Sequence, residues 1–324
     1  MAIYLADADV ASLITMRETF DAVEQAFRDH GLGQAPNLPR QHLAVPKGVY
    51  RSMSAGVPSL GGMGTKVGLH SFDVPAGMQK SQALTVLYST ETGELLAVIW
   101  SDLITSYRTG AIGGVSAKYL ARTDACVVGV LGSGRQARTQ LMAVALARDL
   151  ERALVFSPSA EHRQVFAREM SEQLGLPIEV ADEPRRVVEA ADIVVAATSS
   201  PRPVLEGEWL RQGAHVISVG ASRKAEARTR QEMRELDDRC VERSDVVIVD
   251  SLEQALVQEG PDMMRPIREQ RVRELGAVIA GLAGGRTGPE QVTLFKSFGM
   301  AIHDVAAARS VYDKAVARRM GVTL

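Results

Sequence analysis

Apolar residues change their spacing along the chain, and each spacing predicts a different kind of element. Residues 12–30 carry apolar side chains at three- and four-residue steps, which predicts one amphipathic helix. Residues 38–72 mix short β-branched runs with Gly and Pro, which predicts strands and loops. Two runs at 83–88 and 95–100 flank a Gly-containing segment and predict a hairpin. Residues 103–120 then predict a helix lined with small side chains.

The middle of the chain alternates short apolar runs with helical patterns. Near-continuous apolar strands separated by helices are typical of a parallel, doubly wound sheet that is buried on both faces. The sequence therefore predicts an α/β fold. The strand-like runs lie at 126–131, 153–156, 178–180, 193–197, 215–219 and 246–249. Beyond them, residues 291–319 predict one long amphipathic helix.

Composition narrows the classes of partner. The 324 residues carry a formal net charge of −2, so no global basic field favours nucleic acid or an anionic membrane. The two cysteines are too few for a disulfide framework and offer no metal-ligand spacing, so no metal is expected. No apolar run approaches the roughly 18 residues of a membrane span, and the first residues lack the basic start of a signal peptide. We expect a cytoplasmic protein that is long enough for two domains, or for one large domain with a sizeable core.

One strand–turn–helix segment carries the pattern of a dinucleotide site. An apolar run ends in Gly132-x-Gly134-x-x-Ala137, and a helical pattern follows. In such a turn the first glycine makes the bend, the second lets the backbone approach a pyrophosphate, and the third small residue lets helix and strand pack. The predicted cofactor contacts of this turn are Gly132, Ser133, Gly134, Arg135, Gln136 and Ala137.

The end of the second strand of this region indicates which dinucleotide binds. An Asp or Glu there would accept a hydrogen bond from the ribose 2′-hydroxyl and would disfavour a 2′-phosphate. Ser157 occupies that place, and Ser159 and Arg163 follow closely. This pattern favours NADP(H) over NAD(H), and a solvated Arg163 on a helix is the alternative.

Several short motifs follow one another in an order that resembles one known family. Over nearly the whole chain they are similar to the ornithine cyclodeaminase/mu-crystallin family, which also includes alanine dehydrogenases and ketimine reductases. The combination is far more specific than any one of its parts. The motifs are residues 64–67 with Lys66, 105–111 with Arg108, 132–137, 198–200, 249–251 and 295–299.

The resemblance implies a domain plan and an oligomeric state. In that family a Rossmann domain is inserted into an α+β substrate domain that is built from both chain ends. Here residues 1–120 plus 300–324 would bind substrate and dimerise, and residues 121–299 would bind NAD(P). Members that resemble this chain are typically homodimers joined through the substrate domain. Further cofactor contacts are implied at Thr198, Ser199, Ser200, Val219, Gly220, Ser222, Lys296 and Ser297.

The resemblance also implies a site for an α-amino or α-imino acid. Arg40 and Arg108 would hold the carboxylate, and Lys66 would lie beside the reacting nitrogen, so Lys66 and Arg108 are the predicted catalytic residues. The residue types suit these roles, because guanidinium forks bind carboxylates in a bidentate manner. A lysine held among other cations in an enclosed site also has a lowered pKa. Arg51 and Gln82 complete the predicted substrate-binding set.

The last helix carries two further polar residues, for which we expect structural roles. His303 is expected to be packed or partly exposed on the helix, because single histidines are often merely structural. Asp304 is expected to pair with an arginine or a lysine rather than to act as an acid catalyst.

One position departs from the cyclodeaminases of the family and shapes the prediction of function. Those enzymes carry an Asp after the fifth Rossmann strand, whereas this chain has Ser222. We therefore predict an NAD(P)H-dependent imine reductase, or in reverse an amino-acid dehydrogenase, for a cyclic ketimine or an imino-dicarboxylate such as iminosuccinate. The alternatives are an ammonia-releasing cyclodeaminase and a non-catalytic NADP-binding protein. A dicarboxylate is suggested by the cationic residues Arg40, Arg51, Lys66, His70, Lys80, Arg108 and Arg223.

Overall fold

The computed structural model describes residues 1–46, 48–71, 81–220, 234–258 and 263–324. The strands are β1 (Ile3–Leu5), β2 (Gln41–Val45), β3 (Gly48–Val57), β4 (Gly62–Ser71), β5 (Ser81–Ser89), β6 (Leu95–Trp100), β7 (Val127–Leu131), β8 (Arg152–Phe156), β9 (Ile178–Val180), β10 (Ile193–Ala196), β11 (His215–Ser218), β12 (Val246–Val249), β13 (Val272–Glu274), β14 (Thr293–Lys296) and β15 (Val322–Thr323). The helices are α1 (Asp7–Leu13), α2 (Met16–Gly31), α3 (Asp102–Leu120), α4 (Arg135–Ala147), α5 (Ala160–Leu174), α6 (Pro184–Ala190), α7 (Asp238–Glu242), α8 (Leu252–Gln258), α9 (Met264–Arg268), α10 (Leu275–Ile279) and α11 (Ala301–Arg318). Within the described ranges, no helix combines the length and the apolar character needed to cross a membrane.

The chain divides into two compact units, and both chain ends belong to the same unit. The first unit comprises Met1–Arg108 and Gly299–Leu324, and the second comprises Thr109–Phe298. The second unit is thus inserted into the first. The first division falls inside α3, ahead of the boundary at 120 that the sequence predicts, and the second lies beside the predicted boundary at 300.

The first unit is built on a seven-stranded sheet with the order β15-β1-β6-β5-β4-β3-β2. From β2 to β6 neighbouring strands run antiparallel, and β5 and β6 form the predicted hairpin. Helix α11 packs against α2 and against β3, β4 and β5. Because side chains alternate along a strand, every second residue of β3 and β4 faces this helix. The other face of the same strands lies away from α11.

The second unit is built on an eight-stranded parallel sheet with the order β13-β12-β14-β11-β10-β7-β8-β9. Every residue of β7, β10, β11, β12 and β14 is buried, as expected for strands that are covered on both faces. The strand order reverses between β7 and β10, and open α/β sheets bind ligands at the carboxyl ends of the strands at such a point. The predicted fold class is confirmed in both units.

The prediction of one helix over residues 291–319 is wrong. Its first part forms β14, which lies between β11 and β12, and α11 begins only at Ala301. All four residues of β14 are buried, including Lys296, so this lysine lies inside the sheet. Gly299, with a φ of 81°, makes the turn between strand and helix in a backbone region that favours glycine.

The prediction of one helix over residues 12–30 is correct in type but misses a break. Helix α1 ends at Leu13 and α2 begins at Met16. Thr15 is the N-cap of α2, where its hydroxyl accepts a hydrogen bond from the Glu18 N–H and donates one to the Glu18 carboxylate. The apolar spacing continues across this break, and for that reason spacing alone does not reveal it.

Candidate active site

A cavity of about 160 Å³ lies in the first unit, lined by residues of β3, β4, β5 and the start of α3. Strand pairing explains why the cationic residues of β3 and β4 line the same cavity. The register places Met53 opposite Lys66 and Arg51 opposite Gly68, so these residues share the face that lies toward α11. His70 follows on the same face of β4, two residues beyond Gly68.

Lys66 and Arg108, the predicted catalytic residues, meet at one carboxylate oxygen. Lys66 Nζ donates to Asp304 Oδ1 at 2.8 Å and to Thr105 Oγ1 at 3.2 Å. Arg108 Nε donates to the same Asp304 oxygen at 3.1 Å. Asp304 is fully buried, whereas 11% of the Lys66 side chain is exposed. The expectation that Asp304 pairs with an arginine or a lysine is confirmed for both.

The pKa values of this cluster follow from burial and from the neighbouring charges. Burial lowers the pKa of Lys66 to about 8, and Arg108 and Arg40 add to this effect while Asp304 opposes it. Burial alone would raise the pKa of Asp304, but Arg108 and Lys66 more than offset it and hold that pKa below its ordinary value. Lys66 can therefore exchange a proton near neutral pH, while Asp304 stays ionised.

Arg40 and Arg108 approach each other around a glycine. A Cβ at Gly299 would lie 3.0 Å from Arg108 Nη1 and 3.0 Å from Arg40 Nη2, and the φ of 81° disfavours a side chain there in any case. Arg40 Nη2 also donates to the Gly299 carbonyl at 3.5 Å, and Arg40 Nε lies 3.3 Å from Met53 Sδ. The structure thus brings together the two guanidiniums that the family resemblance assigns to a substrate carboxylate.

Gln82 occupies a different position from the rest of the predicted substrate-binding set. It lines the cavity, but its side chain is exposed. Gln82 pairs with Leu69. Leu69 is three residues from Lys66 on β4, so Leu69 and Gln82 lie on the opposite face of the sheet from Lys66. Three residues from the sequence predictions, Lys80, Ser222 and Arg223, lie outside the described residues.

His303 is packed, as the sequence suggested. Its ring lies 4.2 Å from the Phe27 ring, centroid to centroid, and is fully buried. Burial, aided by the charge of Arg108, lowers the pKa of His303 well below its ordinary value, so this histidine is neutral. Among the described residues no cluster of three or more His, Cys, Asp or Glu could hold a metal ion.

The predicted dinucleotide turn has the geometry of a phosphate site. Gly132 has a φ of 113°, and a Cβ there would lie 2.5 Å from the Ala197 carbonyl oxygen, so glycine is required. Gly134 is the N-cap of α4, and a Cβ there would meet no atom within 4 Å among the described residues. The N-terminal end of α4 therefore has open space beside Gly134, and the N-terminus of a helix favours negative groups such as the phosphates of a dinucleotide.

The other residues of the turn divide between the open side and the core. Ala137 is fully buried, which lets α4 pack on the sheet. Arg135 is exposed, and Gln136 is half-buried. Ser133 is half-buried, and its hydroxyl donates to Ser157 Oγ at 2.9 Å. The turn and the end of β8 are thus linked directly.

The residues predicted to recognise the ribose gather at the end of β8. Arg163 Nη1 donates to the Ser157 carbonyl at 2.9 Å, and Nη2 donates to Asp182 Oδ1 at 3.1 Å. The guanidinium also lies 5.5 Å from the Phe156 ring. Ser159 is the N-cap of α5, where its side chain accepts a backbone hydrogen bond. Among these residues, Asp182 is the one carboxylate, and it is largely exposed.

Two loops follow β10 and β11 at the same edge of the sheet as the dinucleotide turn. The first loop carries Thr198, Ser199 and Ser200, and the second carries Val219 and Gly220. Parallel strands end at a common edge, and β10 pairs with both β7 and β11. These five predicted cofactor contacts therefore lie along one edge with the Gly132 turn.

Lys296 and Ser297, also predicted to contact the cofactor, are buried behind this edge. Lys296 Nζ donates to Ser218 Oγ at 2.8 Å and to the Gly220 carbonyl at 3.0 Å. Ser297 Oγ donates to Asp250 Oδ2 at 2.8 Å. Both side chains bond within the protein, and the cofactor contact assigned to them stays a prediction.

One carboxylate at this edge is missing from the sequence predictions. Glu235 is fully buried and accepts hydrogen bonds from the backbone N–H groups of Thr198 and Gly220. In the sequence it stands in Arg234-Glu235-Leu236-Asp237, a largely charged segment that is typical of a solvated turn. No local signal marks it as part of the site.

Comparison with known proteins covers the whole chain. Residues 2–319 match the model of the ornithine cyclodeaminase/mu-crystallin family. The structure is similar to Δ1-pyrroline-2-carboxylate reductase of Thermococcus litoralis in complex with NADH and L-proline (35% identity, 99% of this chain, 100% of that chain, TM-score 0.88). It is also similar to an archaeal alanine dehydrogenase dimer with bound NAD (34% identity, 100% of this chain, 98% of that chain, TM-score 0.90). Iminosuccinate reductase of Paracoccus denitrificans is 30% identical over 323 residues (98% of this chain, 97% of that protein).

The family that the sequence motifs resemble is the family that the full chain matches. The match extends over both units, because residues 2–319 include the cation-lined cavity and the dinucleotide turn. The predicted recognition is therefore confirmed. The chain belongs to the ornithine cyclodeaminase/mu-crystallin family.

Proposed function

We propose that the protein is an NAD(P)H-dependent imine reductase that converts a small α-imino acid into an L-amino acid, and that it acts as an amino-acid dehydrogenase in reverse. The observation that carries this proposal is the Lys66–Asp304–Arg108 cluster, which places a proton donor beside a carboxylate-binding guanidinium in one cavity. The enzyme class, an NAD(P)-dependent oxidoreductase acting on carbon–nitrogen bonds, is confirmed by the named relatives. The cytoplasmic location expected from the sequence is part of the proposal.

Arg40 and Arg108 hold the substrate carboxylate. Their guanidiniums meet around Gly299, and two planar forks beside each other suit the two oxygens of a carboxylate. Arginine stays charged throughout the physiological pH range, so the substrate is held in every protonation state of Lys66. Arg108 is further fixed by Asp304, which orients its guanidinium through Nε.

Lys66 donates the proton that the reaction requires. Reduced nicotinamide supplies a hydride to the imine carbon when it is bound. The electron pair of the C=N bond then moves to nitrogen, and that nitrogen takes a proton from the Lys66 ammonium. A pKa of about 8 lets Lys66 give this proton and regain it near neutral pH. In the oxidative direction neutral Lys66 takes the proton back.

The size and lining of the cavity favour short substrates with one or two carboxylates. A cavity of roughly 150 Å³ holds a molecule the size of benzene, so about 160 Å³ suits an imino acid with a short or cyclic side chain. Arg51 and His70 line the same cavity on the strand face of Lys66. We propose that a second carboxylate, where the substrate has one, binds on this side. Cyclic ketimines and imino-dicarboxylates are therefore the substrates to test.

NADP(H) is proposed as the preferred dinucleotide. Where an acidic residue would exclude a 2′-phosphate, the end of β8 carries Ser157, Ser159 and the guanidinium of Arg163. The partner of Arg163, Asp182, has 88% of its side chain exposed, so solvent screens this ion pair and the guanidinium can also serve a phosphate.

The ratio of kcat/KM for NADPH and NADH tests this preference. Arg163→Ala should lower the ratio about tenfold or more, since a charge-assisted hydrogen bond contributes about 1.5–3 kcal/mol. Arg168→Ala is the matched control, because Arg168 is an exposed arginine on the same helix. An unchanged ratio in Arg163→Ala would reject the role of this arginine, and a wild-type preference for NADH would reject the proposed preference.

A homodimer is proposed, joined through the face of the seven-stranded sheet that lies away from α11. Strand pairing aligns Leu43, Tyr50 and Leu69 on this face, and Met63 pairs with Tyr88 on it as well. These five side chains are between 38% and 63% exposed. Exposed apolar side chains gathered on one face of a sheet mark an interaction surface, and a second copy of the chain would cover them.

The oligomeric state in solution tests this surface. Tyr50→Asp with Leu69→Asp should convert a dimer into a monomer in light scattering after size exclusion, because two charges would lose water at the interface. Leu282→Asp is the control, since Leu282 is 67% exposed in the other unit. A wild-type monomer, or a dimer that survives the double substitution, would reject the interface.

Activity itself is tested with NADH and NADPH against Δ1-pyrroline-2-carboxylate, iminosuccinate, and pyruvate with ammonia. We expect oxidation of the reduced cofactor with at least one of these, and none with 1-pyrroline, which lacks the carboxylate. Release of ammonia from ornithine without net change in the cofactor would show a cyclodeaminase instead. Binding of NADPH without turnover of any imine would show a binding protein.

A further inference from the structure

Lys296 and Glu235 form a buried pair at the carboxyl edge of the parallel sheet, and the proton chemistry proposed above does not use them. Both side chains are completely buried, and Lys296 Nζ lies 3.9 Å from Glu235 Oε2. Removing two charges from water is costly, so a buried ion pair adds little net stability by itself. The pair is therefore expected to fix the groups that it bonds rather than to add stability.

Glu235 joins two loops with its two carboxylate oxygens. Oε1 accepts hydrogen bonds from Thr198 N at 2.5 Å and from Thr198 Oγ1 at 3.0 Å. Oε2 accepts them from Ser218 Oγ at 2.7 Å and from Gly220 N at 2.8 Å. Thr198 lies in the loop after β10 and Gly220 in the loop after β11, so one side chain fixes both loops.

Lys296 holds the other side of the same peptide. Its Nζ donates to the Gly220 carbonyl at 3.0 Å and to Ser218 Oγ at 2.8 Å. Gly220 is thus bonded through its N–H to Glu235 and through its carbonyl to Lys296. Two opposite charges on the two polar groups of one residue leave that residue little conformational choice.

The packing at this point leaves no room for adjustment. A Cβ at Gly220 would lie 2.3 Å from the Glu235 carboxyl carbon and 2.4 Å from the Thr198 carbonyl oxygen. The first loop also touches the dinucleotide turn, since a Cβ at Gly132 would lie 2.5 Å from the carbonyl oxygen of Ala197. A change in the pair would therefore move both loops along the cofactor edge.

We propose that Glu235 and Lys296 are a positioning pair, which holds the loops at 197–200 and 219–220 in the shape that binds the nicotinamide half of the dinucleotide. The inference rests on the proposed use of NAD(P)H. In a doubly wound sheet the two halves bind the two mononucleotides, and the adenosine ribose is recognised at the end of the second strand, here β8. β10 and β11 lie across the switch point from β8, on the nicotinamide half.

Binding of whole dinucleotides and of adenosine fragments tests the pair. Glu235→Gln and Lys296→Met are titrated with NADH, NADPH, AMP and 2′,5′-ADP. We expect the Kd for the reduced dinucleotides to rise about tenfold or more, while the Kd for the fragments changes by less than about twofold. Asp192→Asn is the matched control, because Asp192 is a buried carboxylate that accepts from Cys126 N and Val127 N at the start of β7, at the opposite edge of the sheet.

Ser218→Ala provides a milder variant if the charge variants fold poorly. Ser218 Oγ bonds to both members of the pair, so its loss should raise the Kd for NAD(P)H about threefold with the fragments unaffected. Equal weakening of dinucleotides and fragments, or no weakening of either, would overturn the proposal. If the wild-type protein binds no NAD(P)H, the proposed function fails, and with it this inference; if it binds and the variants bind equally well, only this inference fails.

Discussion

A buried lysine–carboxylate pair occurs in each unit of the protein, and the two pairs differ in what the lysine can reach. Lys66 lies 2.8 Å from Asp304, and its partly exposed side chain lines the cavity of the first unit. Lys296 lies 3.9 Å from Glu235, is fully buried, and donates to a serine hydroxyl and a backbone carbonyl. In the roles proposed above, the same two functional groups act as a proton source where a cavity meets them, and as a structural link where the backbone encloses them.

The two carboxylates differ as well. Asp304 Oδ1 receives two cationic donors, while its Oδ2 has no hydrogen-bond partner among the described residues. Both oxygens of Glu235 are bonded, mainly by uncharged donors. Asp304 therefore acts on two cations through one oxygen, by charge and by hydrogen bonding. Glu235 acts mainly through directed hydrogen bonds, which fix geometry.

Removal of the lysine in the cavity should have the largest effect on rate. Lys66→Met should lower kcat/KM by about 10²–10⁴, the usual contribution of a positioned proton donor, while leaving the Kd for NAD(P)H unchanged. Steady-state kinetics and cofactor titration measure both quantities. Lys314→Met is the control, since Lys314 pairs with Glu18 away from the cavity. A Lys66→Met enzyme with nearly full activity would show that Lys66 is not the proton donor, and the two lysines would then not differ in the proposed way.

Stability should show the opposite order. Lys296→Met leaves the fully buried Glu235 without a cation, which should lower the free energy of unfolding by about 3 kcal/mol. Lys66→Met leaves Asp304 paired with Arg108, so its loss should be about 1 kcal/mol. Urea unfolding of the wild type and of the two variants gives the free energies of unfolding to compare. A larger loss in Lys66→Met would mean that the cavity pair is the structural one.

The pH dependence should show the smallest effect, and it sharpens the role of Asp304. Reduction requires protonated Lys66, so its kcat/KM should fall as pH rises through about 8. Asp304 raises the pKa of Lys66, while Arg108 and Arg40 lower it. Asp304→Asn should therefore move the midpoint to lower pH. Rate profiles for the wild type and the variant measure the shift, and a midpoint that stayed in place or rose would contradict it.

Local rules account for the parts of the fold that the sequence predicts well. The dinucleotide turn needs a glycine at 132 because the backbone of another loop is close, and it leaves open space beside Gly134. The Gly132-x-Gly134-x-x-Ala137 spacing in the sequence predicts this turn. The strands of the parallel sheet are recognisable because each is apolar at nearly every position. The family resemblance identifies Lys66 and Arg108, and the local sequence supports it because a charge in a small-residue or Gly-rich segment needs a partner.

Long-range pairing accounts for the parts that the sequence does not show. Asp304 is 238 residues from Lys66, and only the packing of α11 on the antiparallel sheet brings them together. β14 lies within the residues for which apolar spacing predicts one long helix, and only its pairing with β11 and β12 and the bond of its lysine to the end of β11 reveal a strand. Glu235 stands among charged neighbours, and only the loops that it joins reveal its burial.

The absence of a side chain at Gly220 also limits how the cofactor edge can be redesigned. A mutant library that varied position 220 alone would place each new Cβ against the Glu235 carboxyl group and the Thr198 backbone, so nearly all of its clones would be lost. A substitution at position 220 therefore requires a second substitution at position 235. Shortening Glu235 to Asp in the same clone relieves the contact with the carboxyl group, but the Thr198 carbonyl oxygen would still lie 2.4 Å from the new Cβ, so the backbone of the neighbouring loop must shift as well.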